Sequence, residues 1–221
     1  MKHTDAGPER NPLPTVADTS TKERILQAAL RLFAENGFAA TSTGAIAGEV
    51  GITKGALYRH FTNKQDILDC IVEQMRTHNA EHAGTFDIAP AELSTDATPT
   101  ERAAALSRIK AFSLSQFRYW TENDFAVRFR HLLTLEQYRN PKLAALLKEY
   151  LTGGIVAHTR ELMRAASAGI QDADAEVLAL EYFAPILMLI NAADDPNNTR
   201  DAARLVEAHI DSFMHMLENR R

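Results

Sequence analysis

Apolar residues recur every three to four positions through most of the chain, which is the spacing of an amphipathic α-helix. The first such segment runs from Ser20 to Asn36 and is followed by Gly37, a residue typical of helix ends. Ser20 and Glu23 have the spacing of a capping box, in which each side chain binds a backbone N–H at the helix start. No segment alternates long enough to predict a strand. The pattern therefore predicts an all-α fold.

Three shorter helical segments follow. The first extends from Thr41 or Ser42 to Val50, the second from Thr53 to His60, and the third from a cap at Thr62 or Asn63 to about residue 83. The rest of the chain predicts longer helices, separated by a polar loop over residues 84–98. We expect them over residues 98–120, 124–138, 140–168, 172–193 and 198–218. The third of these helices is expected to kink or split at Gly153 and Gly154 and to end at Gly169. Asp172 and Asn198 are the expected caps of the last two.

The segment between Thr43 and His60 predicts a helix-turn-helix, because two short helices meet at Gly51 and glycine accepts the positive φ of a tight turn. The second helix begins with small residues, which lets its backbone approach the major groove of DNA. Lys54 is the long polar side chain best placed to reach base edges. Thr53, Tyr58 and the start of the helix near Lys64 are placed to bind phosphates. Leu57 and Phe61 point towards the first helix.

Charge is distributed in a way that supports this interpretation. The chain has 221 residues and a formal net charge of −5, which by itself argues weakly against a nucleic-acid partner. Between Glu49 and Asp66, however, the only charged side chains are Lys54, Arg59 and Lys64. The helix-turn-helix is therefore a basic segment in an acidic protein, and the local distribution matters more than the total.

Residues 1–19 contain three prolines and one glycine among polar residues, which predicts a disordered tail and not a signal peptide. Cys70 is the only cysteine, which excludes an internal disulfide and fits a reducing compartment. No run of about 18 apolar residues is present to span a membrane. We therefore expect a cytoplasmic protein without a membrane partner.

Over residues 21–71 the chain resembles the DNA-binding domain of the tetracycline-repressor (TetR) family of transcriptional regulators. The matching stretches are ILQAALRLFAENGF at 25–38, TST at 41–43, IA at 46–47, VGITKGALYRHF at 50–61 and NK at 63–64. Gly44 is a departure, because the family often has a long polar residue at that position, and the base contact it makes is missing here. The resemblance implies a repressor that binds a palindromic operator in double-stranded DNA as a homodimer.

The resemblance also implies which residues contact DNA. Thr43, Tyr58 and Lys64 are expected to contact phosphates. The base-reading edge is expected to consist of Lys54, Gly55, Ala56, Tyr58 and His60. The predicted organisation is a tail over residues 1–19, a DNA-binding domain over 20–66, and a ligand-binding and dimerisation domain over 67–221. The helix that follows Lys64 is expected to be the only long element that joins the two domains, and so to carry any switching motion.

The last two predicted helices have apolar surfaces that other helices must shield from water. In the family, two such helices from each subunit form a four-helix interface, and the same residues would otherwise belong to the core of one subunit. The stretches LLTLEQYRNP at 132–141 and ALEYFAPI at 179–186 resemble C-terminal domains of some family members. The residues expected at the dimer interface are Val177, Ala184, Met188, Val206, Ile210, Phe213 and Leu217.

Aromatic residues between these ends are candidates for a small-molecule pocket, because such pockets are mostly apolar with few polar anchors. Plain core packing is the alternative for each of them. We expect an apolar effector, an aromatic or acyl compound, to bind among Phe112, Phe117, Trp120, Phe129 and Tyr150. If these aromatic residues are closely packed and leave no cavity, the alternative is a regulator that is controlled by a partner protein or is independent of any ligand.

One string resembles an enzyme motif. His78, Glu81 and His82 match the H-x-x-E-H pattern of some zinc proteases, and two histidines at this spacing can also bind zinc without catalysis, but an exposed polar helix end is the favoured explanation. A zinc hydrolase is thus a distant third interpretation after the two kinds of regulator. Neither a phosphate-binding loop nor a Ser-His-Asp arrangement is apparent. We expect no enzyme activity, no cofactor and no metal.

Overall fold

The computed structural model describes residues 20–84, 97–151, 153–166 and 171–219. These residues form helices and turns with no strand among them, which confirms the predicted all-α fold. The helices are α1 Thr21–Asn36, α2 Thr43–Val50, α3 Lys54–Leu57, α4 Lys64–Gly84, α5 Pro99–Glu122, α6 Asp124–Glu136, α7 Pro141–Leu151, α8 Gly153–Ala166, α9 Asp172–Ala192 and α10 Thr199–Asn219.

Helices α1 to α4 form the N-terminal bundle around a small apolar core. Its buried side chains include Ile25, Phe33, Ile46, Leu57 and Phe61. Each helix start in this bundle has a local cap. The Ser20 hydroxyl accepts from the backbone N–H of Glu23, and the Asn63 side chain accepts from that of Asp66. The bundle is therefore held by short-range signals as well as by its core.

Helices α5 to α10 form a larger second region. Helix α9 packs against α8 on one side and α10 on another, while α5 also contacts α10. The predicted long helix after Pro141 is split into α7 and α8 near Gly153, as the two glycines suggested. Asp172 is not the cap of α9: that position belongs to Gln171, whose side chain makes no capping bond. The disordered tail and Gly169 lie outside the described residues.

The two regions touch along two elements, not one. Helix α4 leads out of the N-terminal bundle, and α1 packs along α6 of the second region. Buried residues of both regions belong to one continuous apolar core. The prediction that α4 alone joins the two regions was therefore wrong, because sequence periodicity does not show which helices pack side by side.

Candidate nucleic-acid interface

The turn between α2 and α3 depends on the backbone of Gly51. Its φ of 75° and ψ of 31° lie in the left-handed region, and its N–H donates to the carbonyls of Ala47 and Gly48. The next N–H, from Ile52, also donates to Ala47. These bonds satisfy the last carbonyls of α2 and turn the chain sharply. The result is the compact helix-turn-helix geometry that the sequence predicted.

Helix α3 presents polar residues outward and anchors itself with apolar ones. The Thr53 hydroxyl accepts from the N–H of Ala56 at 3.1 Å, which fixes the start of the helix. Leu57 and Phe61 are buried and hold the segment to the bundle. Four residues are helical and a turn continues to His60, so α3 is shorter than predicted. On the outer side, the exposed residues are Thr53, Lys54, Gly55, Tyr58, Arg59 and His60.

Two hydroxyl groups connect α2 with the end of α3. The Thr43 Oγ1 and Tyr58 Oη atoms are 3.1 Å apart in an exposed hydrogen bond. The ammonium of Lys54 lies 5.8 Å from the centroid of the Tyr58 ring. Thr43, Lys54 and Tyr58 therefore form one polar group on the surface, with hydroxyl and ammonium donors of the kind that bind phosphates and base edges.

Lys64 does not face outward with this group. Its Nζ donates to the carbonyls of Phe38 at 2.5 Å, Thr41 at 2.8 Å and Ala39 at 3.2 Å. It also lies 4.4 Å from the centroid of the Phe38 ring. An ammonium has three donors, and these three carbonyls use them all. In this structure the Lys64 side chain therefore holds the segment between α1 and α2, and its expected contact with a phosphate stays a prediction.

The acidic residues beside the interface are already paired. The Glu49 carboxylate forms an ion pair with Arg31 of α1. The Asp66 carboxylate accepts from the backbone N–H of Thr62 at 2.7 Å and from its hydroxyl at 3.1 Å. Because these negative charges are neutralised or committed locally, the surface around α3 keeps the basic character of Lys54 and Arg59.

Two arginines in or beside this segment were not among the predicted site residues. Arg59 is exposed directly beside His60 and adds a cation to the outer side of α3. Arg24 donates from Nη2 to the carbonyl of Val50 at 2.7 Å, so α1 also supports the C-terminal end of α2. The charge of Arg59 was visible in the sequence, but a bond across 26 residues was not.

The second region contains an aromatic cluster built from α5, α6 and α7. The ring of Tyr150 lies 6.4 Å from that of Trp120 and 6.1 Å from that of Phe129, measured between centroids. These three residues and Phe117 are buried, whereas Phe112 is half-buried. The structure thus places Tyr150 beside both Trp120 and Phe129, and the role of these residues as a binding site remains a prediction.

Next to this cluster lies a buried cation. Arg130 is 2% exposed, and its guanidinium donates from two nitrogens to the carboxylate of Asp194, at the end of α9. His131 is 3.0 Å from the same carboxylate. Burial opposes ionisation of Asp194, but the hydrogen bonds from Arg130 and His131 outweigh it and lower the pKa of this carboxyl. The pair therefore ties α6 to the end of α9 as a charged unit.

The expected dimer residues divide into two groups. Val206, Ile210, Phe213 and Leu217 of α10 are buried within the single chain, packed against α5 and α9. These four belong to the subunit core, which corrects their assignment to a dimer interface. The sequence pattern of an apolar stripe is the same whether a helix of the same chain or one of a partner chain packs against it.

The other group is exposed. Val177, Ala184 and Met188 lie on one stripe of α9 together with Leu180, at helical spacing. In the single chain Met188 is 64% exposed, Val177 51% and Leu180 48%. Leu205 of α10 is exposed as well. We call the residues Val177, Leu180, Ala184 and Met188 the α9 face.

The enzyme-like string does not assemble into a centre within the described residues. The ring of His78 packs edge-on against Phe125, with 5.3 Å between centroids. The side chain of His82 lies outside the described residues. Among the side chains that the structure describes, no group of three or more histidine, cysteine, aspartate or glutamate residues stands close enough to hold a metal ion.

The geometry defines a helix-turn-helix protein with a larger helical second region. Residues 25–71 match the family described as bacterial regulatory proteins, tetR family. The chain is 55% identical over 47 residues to the HTH-type transcriptional regulator YerO of Bacillus subtilis, covering 21% of this chain and 16% of that protein. It is 43% identical over 61 residues to the regulator AcrR of Shigella flexneri, covering 28% of each.

Structural similarity extends over the second region. A SmeT–triclosan complex superimposes with a TM-score of 0.58 at 23% identity, covering 89% of this chain and 90% of that one. SmeT is described as the repressor of the Stenotrophomonas maltophilia multidrug efflux pump SmeDEF. The matched segment therefore resembles the DNA-binding domain of the tetR family of bacterial regulatory proteins, and the solved structure shares the fold of the whole described chain. The sequence matches span less than a third of either relative, so they describe the DNA-binding domain alone.

Within the part of the chain that the structure describes, no helix is both long and apolar enough to cross a membrane.

Proposed function

We propose that this protein is a transcriptional repressor that binds a palindromic operator as a homodimer and leaves it when an apolar small molecule binds the second region. The main support for DNA binding is the exposed polar group formed by Thr43, Lys54 and Tyr58. Thr53, Gly55, Ala56 and His60 complete the proposed contact surface. The Thr53 cap uses its hydroxyl as an acceptor, so the O–H remains a donor for a phosphate.

The dimer follows from the requirement of two reading helices. A palindromic operator presents half-sites about 34–36 Å apart, and one helix-turn-helix occupies one half-site. The α9 face offers four apolar residues on one stripe, a pattern suited to the self-complementary interface of a two-fold dimer. We assign this face to contact with a second copy of the chain. The proposed domains are residues 20–66 for DNA binding and 67–221 for ligand binding and dimerisation.

The aromatic cluster is the proposed site of the effector, since it lies against α4. The Tyr119 hydroxyl, beside Trp120, donates to the sulfur of Met75 in α4 at 3.5 Å. Burial raises the pKa of Tyr119 to about 12, so this hydroxyl stays protonated and uncharged. The Tyr150 hydroxyl interacts with Arg76 of the same helix. A compound that separates these rings would therefore push directly on the helix that leads to the DNA-binding domain.

The DNA-binding part is tested by selecting duplexes from a random pool with the wild-type protein and measuring affinity for the recovered sequence. Lys54→Ala should relax the preference at particular bases by about 1–3 kcal/mol per contact. Lys142→Ala removes the same charge from the exposed surface of α7 and is the matched control. If no sequence is enriched, or if the two variants behave alike, the proposed interface is wrong.

The effector part is tested through Trp120, which is the only tryptophan of the chain. Its fluorescence therefore reports on the aromatic cluster alone. Triclosan is a suitable first probe because a structurally similar protein is known as its complex, followed by a library of apolar compounds. An effector should quench or shift the Trp120 emission and release DNA over the same concentration range, and Phe129→Ala should weaken both responses. A library in which nothing alters DNA binding would favour a regulator that is ligand-independent or controlled by a partner protein.

A further inference from the structure

Glu136, the last residue of α6, is buried although it carries a carboxylate. It is 3% exposed, and its Oε1 accepts a hydrogen bond of 2.9 Å from the backbone N–H of Phe38. The two residues are 98 positions apart and belong to different regions of the molecule. A buried acidic side chain is uncommon unless it is paired or hydrogen-bonded. Here the partner is the main chain just after α1.

The backbone on the other side of this bond is shaped to receive the carboxylate. Gly37 has φ 83° and ψ 159°, a conformation that only glycine adopts readily. A Cβ atom at Gly37 would lie 2.8 Å from the Glu136 Oε1, closer than such contacts occur. Glycine is therefore needed twice at this position, once for its φ and once for the close approach of Glu136.

The segment that Glu136 holds leads directly into the DNA-binding helices. Residues 37–41 and the cap residue Ser42 connect α1 to α2, and α2 begins at Thr43 of the proposed DNA surface. Lys64 binds three carbonyls of this segment, and the Thr41 hydroxyl donates to the carbonyl of Gly37 at 2.9 Å. The carbonyls are thus fixed from inside the N-terminal bundle, whereas an amide of the same segment is fixed from α6.

We propose that Glu136 is a positioning residue for DNA binding, which fixes the 37–41 segment, and with it α2, from the second region by a route that bypasses α4. Helix α6 also carries Phe129 of the aromatic cluster and Arg130, which is tied to Asp194 at the end of α9. A shift of α6 at either place reaches Phe38 through one rigid helix of 13 residues. This inference rests on the proposed DNA-binding function.

The first test needs no DNA. Amide hydrogen exchange of residues 37–41 is compared in wild type, Glu136→Ala and Glu136→Gln. The alanine variant loses the acceptor, so exchange at Phe38 should rise by about tenfold or more. The glutamine variant keeps an oxygen at the same place and should exchange like the wild type. Unchanged exchange in the alanine variant would overturn the proposal.

The second test measures affinity for the selected duplex at 25 °C, well below the unfolding midpoint of each variant. Losing the Phe38 bond should weaken DNA binding by roughly fivefold in Glu136→Ala, because about 1 kcal/mol corresponds to that factor. Glu136→Gln should restore wild-type affinity. If Glu136→Ala lowers the unfolding midpoint but binds DNA within twofold of wild type, Glu136 only stabilises the fold and the proposal fails.

The two tests separate this inference from the function on which it rests. If the wild type selects no duplex, the proposed function fails while the exchange result still reports on the Glu136 contact. If the wild type selects a duplex and Lys54→Ala weakens it but Glu136→Ala does not, the interface stands and the positioning role of Glu136 is rejected.

Discussion

The N-terminal bundle and the second region both have capped helix starts, but their long-range polar contacts differ in span. Arg24 and Val50 of the bundle are 26 residues apart, whereas Arg130 and Asp194 of the second region are 64 apart. In the bundle, helix starts are capped by the residue beside them, and Gly51 makes the turn with its own backbone. In the second region, decisive polar contacts join distant residues: Arg130 with Asp194, and Ser113 with Tyr182 in a buried hydrogen bond of 2.5 Å. A local interaction can be predicted from a short stretch of sequence. A pair of distant residues can be identified only when the fold is known.

The exposed surfaces of the two regions differ in the same way. Around α3 the surface is polar and basic, which suits a charged, hydrated partner such as DNA. Along α9 it is a stripe of aliphatic side chains, which suits a partner that excludes water. One molecule therefore has two exposed surfaces with opposite chemistry, and substitutions should affect them independently.

The largest expected effect separates the core of the second region from its exposed face. Phe213→Glu places a charge in the apolar core of one chain, so it should cost more than about 4 kcal/mol and unfold the region. Met188→Glu places the same charge on the α9 face, so folding should survive. Light scattering should show monomers, and affinity for the selected duplex should fall about a hundredfold or more. Circular dichroism distinguishes the two cases. A folded Met188→Glu variant that remains dimeric would remove the α9 face from the interface.

The second-largest expected effect comes from breaking the buried ion pair of the second region. Asp194→Asn leaves the Arg130 guanidinium buried without a counter-charge, which should lower the free energy of unfolding by about 3 kcal/mol. The figure is at the low end for a buried pair because Asp194 itself is partly exposed. Glu161→Gln disrupts an exposed pair with Arg160 and should cost less than about 0.5 kcal/mol. Urea denaturation measures both, and equal costs would show that the burial of Arg130 is unimportant.

The same pair gives the protein a defined acid sensitivity. The pKa of Asp194 is lowered in the folded state, so its contribution to stability is present above the unfolded pKa of about 3.9. That contribution is lost as the pH falls through the lower, folded pKa. The stability difference between wild type and Asp194→Asn should therefore shrink below about pH 4. A difference that stays constant from pH 7 to pH 3 would contradict the assigned cause.

Features that depend on local interactions were predicted from the sequence, whereas features that depend on long-range contacts were not. The cap at Ser20 and the turn at Gly51 were recognisable because each depends on residues within a few positions. Lys64 was assigned to a phosphate because the sequence does not show that its ammonium binds main-chain carbonyls. Its three carbonyl partners lie 23 to 26 positions away.

The same limit explains the α10 stripe and Glu136. The spacing of Val206, Ile210 and Phe213 correctly showed an apolar face, but periodicity does not say whether its partner belongs to the same chain. Glu136 had no sequence signal at all, since its role depends on α1 and α6 packing side by side. Local geometry was therefore predictable, and which surfaces meet was not.

A smaller effect should appear in the turn of the DNA-binding domain. Gly51→Ala meets no neighbouring atom, so its cost is the strain of a positive φ, about 1–2 kcal/mol. Gly48→Ala also meets open space but lies in the regular backbone of α2, where alanine is favoured by about 0.5–1 kcal/mol. The two variants add the same methyl group three residues apart and should shift the unfolding midpoint in opposite directions. Shifts of the same sign would mean that the backbone of Gly51 is not what shapes the turn.

The smallest effect compares a capped helix start of the bundle with the uncapped start of α9 in the second region. The Ser42 hydroxyl accepts from the N–H of Ala45 at 3.0 Å at the start of α2, and Ser42→Ala should cost about 1 kcal/mol. Gln171 holds the corresponding position of α9, with φ −70° and ψ 152°, but its side chain makes no capping bond. These angles match those of Thr53, which does cap α3, with φ −73° and ψ 153°. Gln171→Ser should therefore add the cap that the start of α9 lacks and raise the free energy of unfolding by about 0.5–1 kcal/mol. Thermal unfolding of the two variants and the wild type measures both changes. If Gln171→Ser gained nothing while Ser42→Ala lost stability, the start of α9 would be held by tertiary packing.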